Sequence, residues 1–172
     1  MRFFDNIPFN EPDEYDPQIG DLGVSQSLME HRLVRQIYQG NALAAIRWLD
    51  AGAKINALVP LGDHEDDGDT TPLIAASRLG DVRIMQILLD RGADINKQND
   101  FGESPLLVAV GSANIHAVKM LIQRTCNVDI QDNSKRRPLM KAAGLGLPEI
   151  VKLLIDAGAS VNARDNLGYS IL

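Results

Sequence analysis

Thr71-Pro72-Leu73-Ile74-Ala75-Ala76, then Gly80-Asp81, then Leu88-Leu89-Asp90-Arg91-Gly92-Ala93-Asp94-Ile95-Asn96: this stretch decides how the whole chain is read. Thr71 is suited to cap a helix, and Pro72 falls at the first helical position, where a missing N–H costs nothing. Leu73, Ala75 and Ala76 give that helix a small apolar face. Gly80 is placed to end it. Asp81 opens a second helix, in which Ile84, Met85, Ile87, Leu88 and Leu89 recur at helical spacing until Gly92 stops it. A polar stretch from Asp94 to Gly102 leads onward.

The unit then repeats. Leu73, Leu106 and Leu139 each follow a proline and stand one constant interval apart, and the next equal step falls on Leu172. Asp90-Arg91-Gly92-Ala93-Asp94-Ile95-Asn96 matches Asp156-Ala157-Gly158-Ala159-Ser160-Val161-Asn162, two such intervals later. A single helix pair of this size cannot bury its apolar face alone, whereas stacked neighbours bury a continuous core.

The Thr-Pro-Leu opening, the Gly-Asp turn, the Leu-Leu-x-x-Gly-Ala-x-Ile-Asn ending and the period together resemble the ankyrin repeat. The resemblance covers about residues 25–172. It implies an all-α solenoid of helix–turn–helix units joined by hairpin-like loops, or fingers, and a protein that binds other proteins. On this frame residues 25–57 are a degenerate repeat acting as N-terminal cap, with Ser27 and Glu30 reading as a capping box. Residues 58–70 hold an acidic insertion, since the step from Gly52 to Gly92 is longer than the period. Repeats follow at 71–98, 99–131 and 132–164. Residues 165–172 begin a fifth unit, either the start of a longer array or a stub closing the stack. Thr125-Cys126 replaces the usual Gly-Ala, so the turn at Thr125 is expected to be strained or remodelled. Arg137 stands in place of the capping Thr.

Residues 1–24 lie outside the repeat. They contain six acidic residues, one Arg and three of the four phenylalanines, with Pro8, Pro12 and Pro17. This composition suggests an extended arm. It either covers the first helix pair or docks on a partner or in the chain's own groove.

Composition narrows function further. A net charge of −6 argues against binding to a nucleic-acid backbone. No apolar run of about 18 residues suggests a membrane span. The single Cys126 cannot form an internal disulfide, which points to a reducing, cytoplasmic setting. It replaces a small alanine and reads as a core residue, with no His nearby in the frame to make it a nucleophile. His31 and His116 are placed on solvent-facing helix positions. Asp63-x-Glu65-x-Asp67-Gly68 resembles the start of a calcium loop, but its twelfth position is Ile74 where an acid is required. We therefore expect neither enzyme activity nor a cofactor or metal, and a chain that is monomeric on its own.

The resemblance implies that partners meet the finger tips and the ends of the first helices. Tyr38, Arg78, Leu79 and Leu145 fall at helix ends, and Phe101, Glu103, Asn133, Arg136, Leu167 and Tyr169 on fingers, together with Thr70 and Gly68. Several are aromatic, Arg or Leu at positions expected to be exposed, where aromatic and Arg side chains favour interface anchoring. The insertion adds Asp63, Glu65, Asp66, Asp67 and Asp69, opposed by the basic Lys135-Arg136-Arg137. Such asymmetry orients a partner and speeds its approach. The competing readings are a self-regulated binder with the arm in its own groove, and a metal-binding module at the insertion.

Overall fold

The computed structural model describes residues 25–61 and 68–168. Eight helices among these residues form four antiparallel pairs: α1 Gln26–Tyr38 with α2 Ala42–Asp50, α3 Pro72–Leu79 with α4 Val82–Asp90, α5 Pro105–Gly111 with α6 Ile115–Gln123, and α7 Pro138–Gly144 with α8 Pro148–Asp156. The first helices stack in a row, α1 on α3 on α5 on α7, and the second helices of the last three pairs stack behind them. The one sheet among the described residues is a two-residue hairpin, β1 Val59–Pro60 against β2 Asp69–Thr70, which closes the base of the insertion.

The caps explain the boundaries. Thr71 Oγ1 accepts from the Ile74 N–H at 3.1 Å, and Ser104 Oγ does the same for Leu107 at 3.2 Å. Asp81 caps α4 by accepting from the N–H groups of Arg83 and Ile84. Arg137 provides no side-chain cap to α7, as its long cationic side chain can only donate. The first helix departs from expectation. Its cap is Ser25, which has extended backbone and accepts from the Leu28 N–H, while Ser27 lies inside the helix and its carbonyl contacts the ring of His31. Glu30 accepts from the Gln26 side chain instead of closing a capping box. His31 is accordingly half-buried, whereas His116 is exposed as expected.

The core is the row of small and branched residues between pairs. Leu73, Ala75, Ala76, Leu106, Ala109, Val110, Leu139 and Ala142 are all buried, and so are Trp48 and Cys126. The alanines let helices approach closely, and the leucines fill the space left. Burying a leucine of this kind contributes roughly 1.5–3 kcal/mol. Burial pushes the Cys126 thiol up to about 11. Its thiolate is scarce at neutral pH, so the native protein should resist alkylation at pH 8 and react only once unfolded. Equal reaction rates in buffer and in denaturant would contradict this.

Fingers and repeats are joined by rungs of hydrogen bonds from one unit to the next. Asn56 accepts from the Asp94 N–H, Asn96 from the Asn127 N–H, and Asp129 from the N–H and hydroxyl of Ser160. Partial burial raises the Asp129 carboxyl, but these bonds and the nearby Arg137 outweigh it and leave it below the usual range. On the outer helices Asp50 pairs with Arg91 at 2.9 Å and Asp90 with Arg124 at 2.8 Å. Ala157 ends this series, having no charge to offer Gln123.

The turn inside each pair has a left-handed residue: Gly40, Gly80, Ala113 and Gly146. The turn after each pair has another: Gly52, Gly92, Thr125 and Gly158. Thr125 (φ 58) keeps the backbone that its glycine position implies, so the turn is strained rather than remodelled. Ala113 (φ 54) does the same, one period after Gly80 and one before Gly146. Both make the same backbone bonds as the glycines they replace. A side chain in this region costs about 1–2 kcal/mol. Ala113→Gly and Thr125→Gly should each stabilise the array by about 1 kcal/mol, after allowance for the greater freedom of glycine in the unfolded chain. Urea unfolding measures this directly, and a lower midpoint in both variants would refute it.

Candidate functional site: a groove on the first-helix face

The ends of α3, α5 and α7 and the fingers beside them enclose an open groove of about 670 Å³. Arg78 enters from the last turn of α3, Val108, Gly111 and Ser112 from α5 and its end, and Met140, Lys141 and Leu145 from α7 and its end. Glu103, Arg136 and Asp165 reach it from three successive fingers. A second hollow of about 330 Å³ adjoins it, lined by Phe101, Asn133 and Ser134 and sharing Glu103 and Arg136.

Each finger is folded by one polar side chain. Asn99, Asp132 and Asp165 hold the same place in successive repeats. Asn99 accepts from the N–H groups of Phe101 and Glu103, and Asp132 from those of Ser134 and Arg136. Asp165 accepts from the Leu167 N–H. Successive fingers are then tied together, as the Asn133 N–H donates to Phe101 O at 3.1 Å and its side chain to Asp100 O at 2.8 Å. The Phe101 ring lies over Gly68 so closely that a Cβ there would sit 2.1 Å from the ring.

The charges of the groove are largely matched internally. Lys141 meets Glu103 at 2.7 Å, both being about four-fifths buried. Its stem crosses Gly111, where a Cβ would come within 2.8 Å of Lys141 Cε. Arg136 Nε donates to Asp132, whose carboxylate is almost wholly buried, and Arg137 reaches Asp129 at 3.5 Å. The basic triplet that reads as a free positive patch in the sequence is thus two-thirds engaged, with Lys135 exposed. The Arg78 guanidinium, by contrast, makes no hydrogen bond or ion pair among the described residues.

Of the expected partner-facing residues, Arg78, Glu103, Arg136 and Leu145 come together in the groove, and Phe101 and Asn133 in the adjoining hollow. Leu79 is exposed beside Arg78, and Leu167 is exposed on the last described finger. Tyr38 is half-buried against the core and lines neither hollow. Thr70 and Gly68 are buried rather than presented, because β2 returns under the stack and Phe101 covers Gly68. Asp69 is half-buried, its N–H donating to Asp100. Burial and then the neighbouring Asp100 charge raise its carboxyl above the usual range. Asp63, Glu65, Asp66, Asp67 and Tyr169 lie outside the described residues, as does the arm 1–24. Lys141 and Met140 are groove residues that the sequence reading omits. Lys141 stands in the frame position held by Ala75 and Val108, and a cation at an otherwise apolar position is the available signal.

A family model for ankyrin repeats, in three copies, matches residues 73–165. The chain belongs to the ankyrin-repeat family. A search of the curated proteins found no match. Ankyrin repeats are generally protein–protein interaction modules and typically non-enzymatic. No helix among the described residues is long and apolar enough to cross a membrane.

Proposed function

We propose that this ankyrin array is a non-catalytic, cytoplasmic binding scaffold, monomeric on its own, that holds a partner protein in the groove at the ends of α3, α5 and α7. The observation that carries this reading is a set of exposed apolar side chains on the same face as a cation with no ionic partner among the described residues. Leu145 lines the groove with Arg78, Phe101 lines the adjoining hollow and Leu79 follows Arg78 in the chain; each of the three is roughly half exposed, and Arg78 has no ionic partner in the described residues. Apolar anchors beside an Arg are the usual composition of an interface centre. The partner segment that fits carries an apolar side chain for Leu145 and Met140 and a carboxylate for Arg78. The buried Lys141–Glu103 pair holds the groove floor rigid, so little ordering is lost on binding.

The test is affinity capture with the full chain as bait, run beside an Arg78→Glu/Leu145→Ser variant. A partner retained by the natural chain and lost by the variant supports the groove. A partner retained equally by both would place binding elsewhere.

A further inference from the structure

We infer, on the strength of the groove reading above, that the groove takes its partner as a slim polyproline-II segment. In that segment the carboxylate for Arg78 and the apolar anchor for Leu145 stand six residues apart, with a small side chain midway. Arg78, Gly111 and Gly144 hold one frame position in successive repeats, at the ends of α3, α5 and α7, and Leu79, Ser112 and Leu145 hold the next. The groove therefore has three levels. The first carries the cation with no ionic partner among the described residues, and the third carries exposed Leu145 with Met140, one turn before Gly144. The middle level differs. There the Lys141 stem crosses Gly111, so close that a Cβ on the glycine would lie 2.8 Å from Lys141 Cε, and the ammonium is tied to Glu103. That stem raises the floor and leaves a bulky side chain no depth to fill. Ser112 stands beside it, exposed, with a hydroxyl that makes no hydrogen bond among the described residues.

Spacing selects the conformation. Packed helices lie about 8–10 Å apart, which sets the distance from one level to the next. A polyproline-II chain has three residues per turn and rises about 3.1 Å per residue, so every third side chain returns to the same face after about 9.3 Å. One turn matches one repeat, and side chains i, i+3 and i+6 fall at Arg78, at Gly111 and at Leu145. A β-strand does not match, because its side chains alternate and positions three apart face opposite ways. An α-helix is too wide. At about 10–12 Å across it would take up roughly 1,400 Å³ or more over the same length, against the 670 Å³ of the groove. The polyproline-II backbone also carries unpaired N–H and C=O groups. The Ser112 hydroxyl and the outer nitrogens of Arg136, whose Nε alone is held by Asp132, line the groove where they can meet them.

The experiment is selection of a displayed library of random sixteen-residue peptides on the full chain, followed by titration of the enriched peptides as synthetic compounds. Enriched sequences should share an acid and a large apolar residue six positions apart. Replacing that acid by its amide, or adding one residue between the two anchors, should each weaken binding by about tenfold. Arg78→Gln should weaken the acidic peptide by a similar factor and leave its amide form unchanged, a coupling that general damage to the array would not produce. Anchors about twelve apart, as an α-helix would need over this distance, overturn the inference while the groove stands. So does a peptide that depends on Arg78 and Leu145 yet tolerates the added residue. Peptides that bind Arg78→Glu/Leu145→Ser as well as the natural chain overturn the groove reading and this inference with it. A selection that enriches no sequence also overturns the inference.

Discussion

Gly102→Ala should destabilise the array by about 3 kcal/mol, although the change adds one methyl group. Gly102 has φ +74, a conformation that costs a side chain about 1–2 kcal/mol. The added Cβ would also lie 2.7 Å from the backbone N of Asn133 and 3.1 Å from the carbonyl carbon of Asp132. Backbone cannot yield as a flexible side chain does. To make room, the next finger must move away, which strains the Asn133 bonds to Phe101 O and Asp100 O; each is worth roughly 0.5–1.5 kcal/mol. The same frame position one repeat later is Lys135, with φ 60, and Lys135→Gly should stabilise by about 1 kcal/mol. Opposite signs at equivalent positions are the specific expectation. Paired urea titrations measure both, and a neutral Gly102→Ala would show that the fingers are not locked together as described.

The second large effect concerns binding. Arg78→Glu/Leu145→Ser should weaken a partner's binding by about 100-fold, or roughly 3 kcal/mol, shared between a reversed charge contact and a lost apolar anchor. The variant should fold normally, since both side chains are exposed and Arg78 supports no other described residue. Arg136 and Phe101 look equally attractive in the sequence and would mislead. Reversing Arg136 would set a second negative charge against the buried Asp132 carboxylate. Trimming Phe101 would uncover Gly68 and loosen two fingers. Loss of binding in those variants could come from loss of structure. Calorimetric titration with the captured partner, alongside a melting curve, separates the two. Unchanged affinity in the Arg78/Leu145 variant would remove the groove from consideration.

The repeat architecture is legible because its cause is local and recurs. Thr71-Pro72 and Ser104-Pro105 announce a cap and a helix start, and the same landmarks return with each period. The groove is legible in outline for the same reason, as frame position alone brings Arg78, Glu103, Arg136 and Leu145 to one face. What stays hidden depends on contacts across the frame. That Thr70 is buried follows from β2 pairing with β1 beneath the insertion, and that Arg136 is committed follows from a buried Asp four residues earlier on the same finger. The left-handed backbone of Ala113 is marked only by its place in the frame, between Gly80 and Gly146, since alanine in a helix turn otherwise looks ordinary. The Ser25 cap is displaced from expectation by a pairing motif, Ser27 with Glu30, that the fold does not use.

Among the described residues, the three non-glycine left-handed ones, Ala113, Thr125 and Lys135, all fall between the start of the third pair's turn and the finger that follows it. Each repeat leans only on its neighbours, so this cost is not averaged over the molecule. The solenoid therefore has a parting line. The stretch through α4 keeps its own neighbours when that span loosens, whereas α7 and α8 lose the only pair they stack on. The groove straddles that line, with Arg78 on one side and Lys141 and Leu145 on the other, so a bound partner would act as a splint across the place where the array is most ready to come apart.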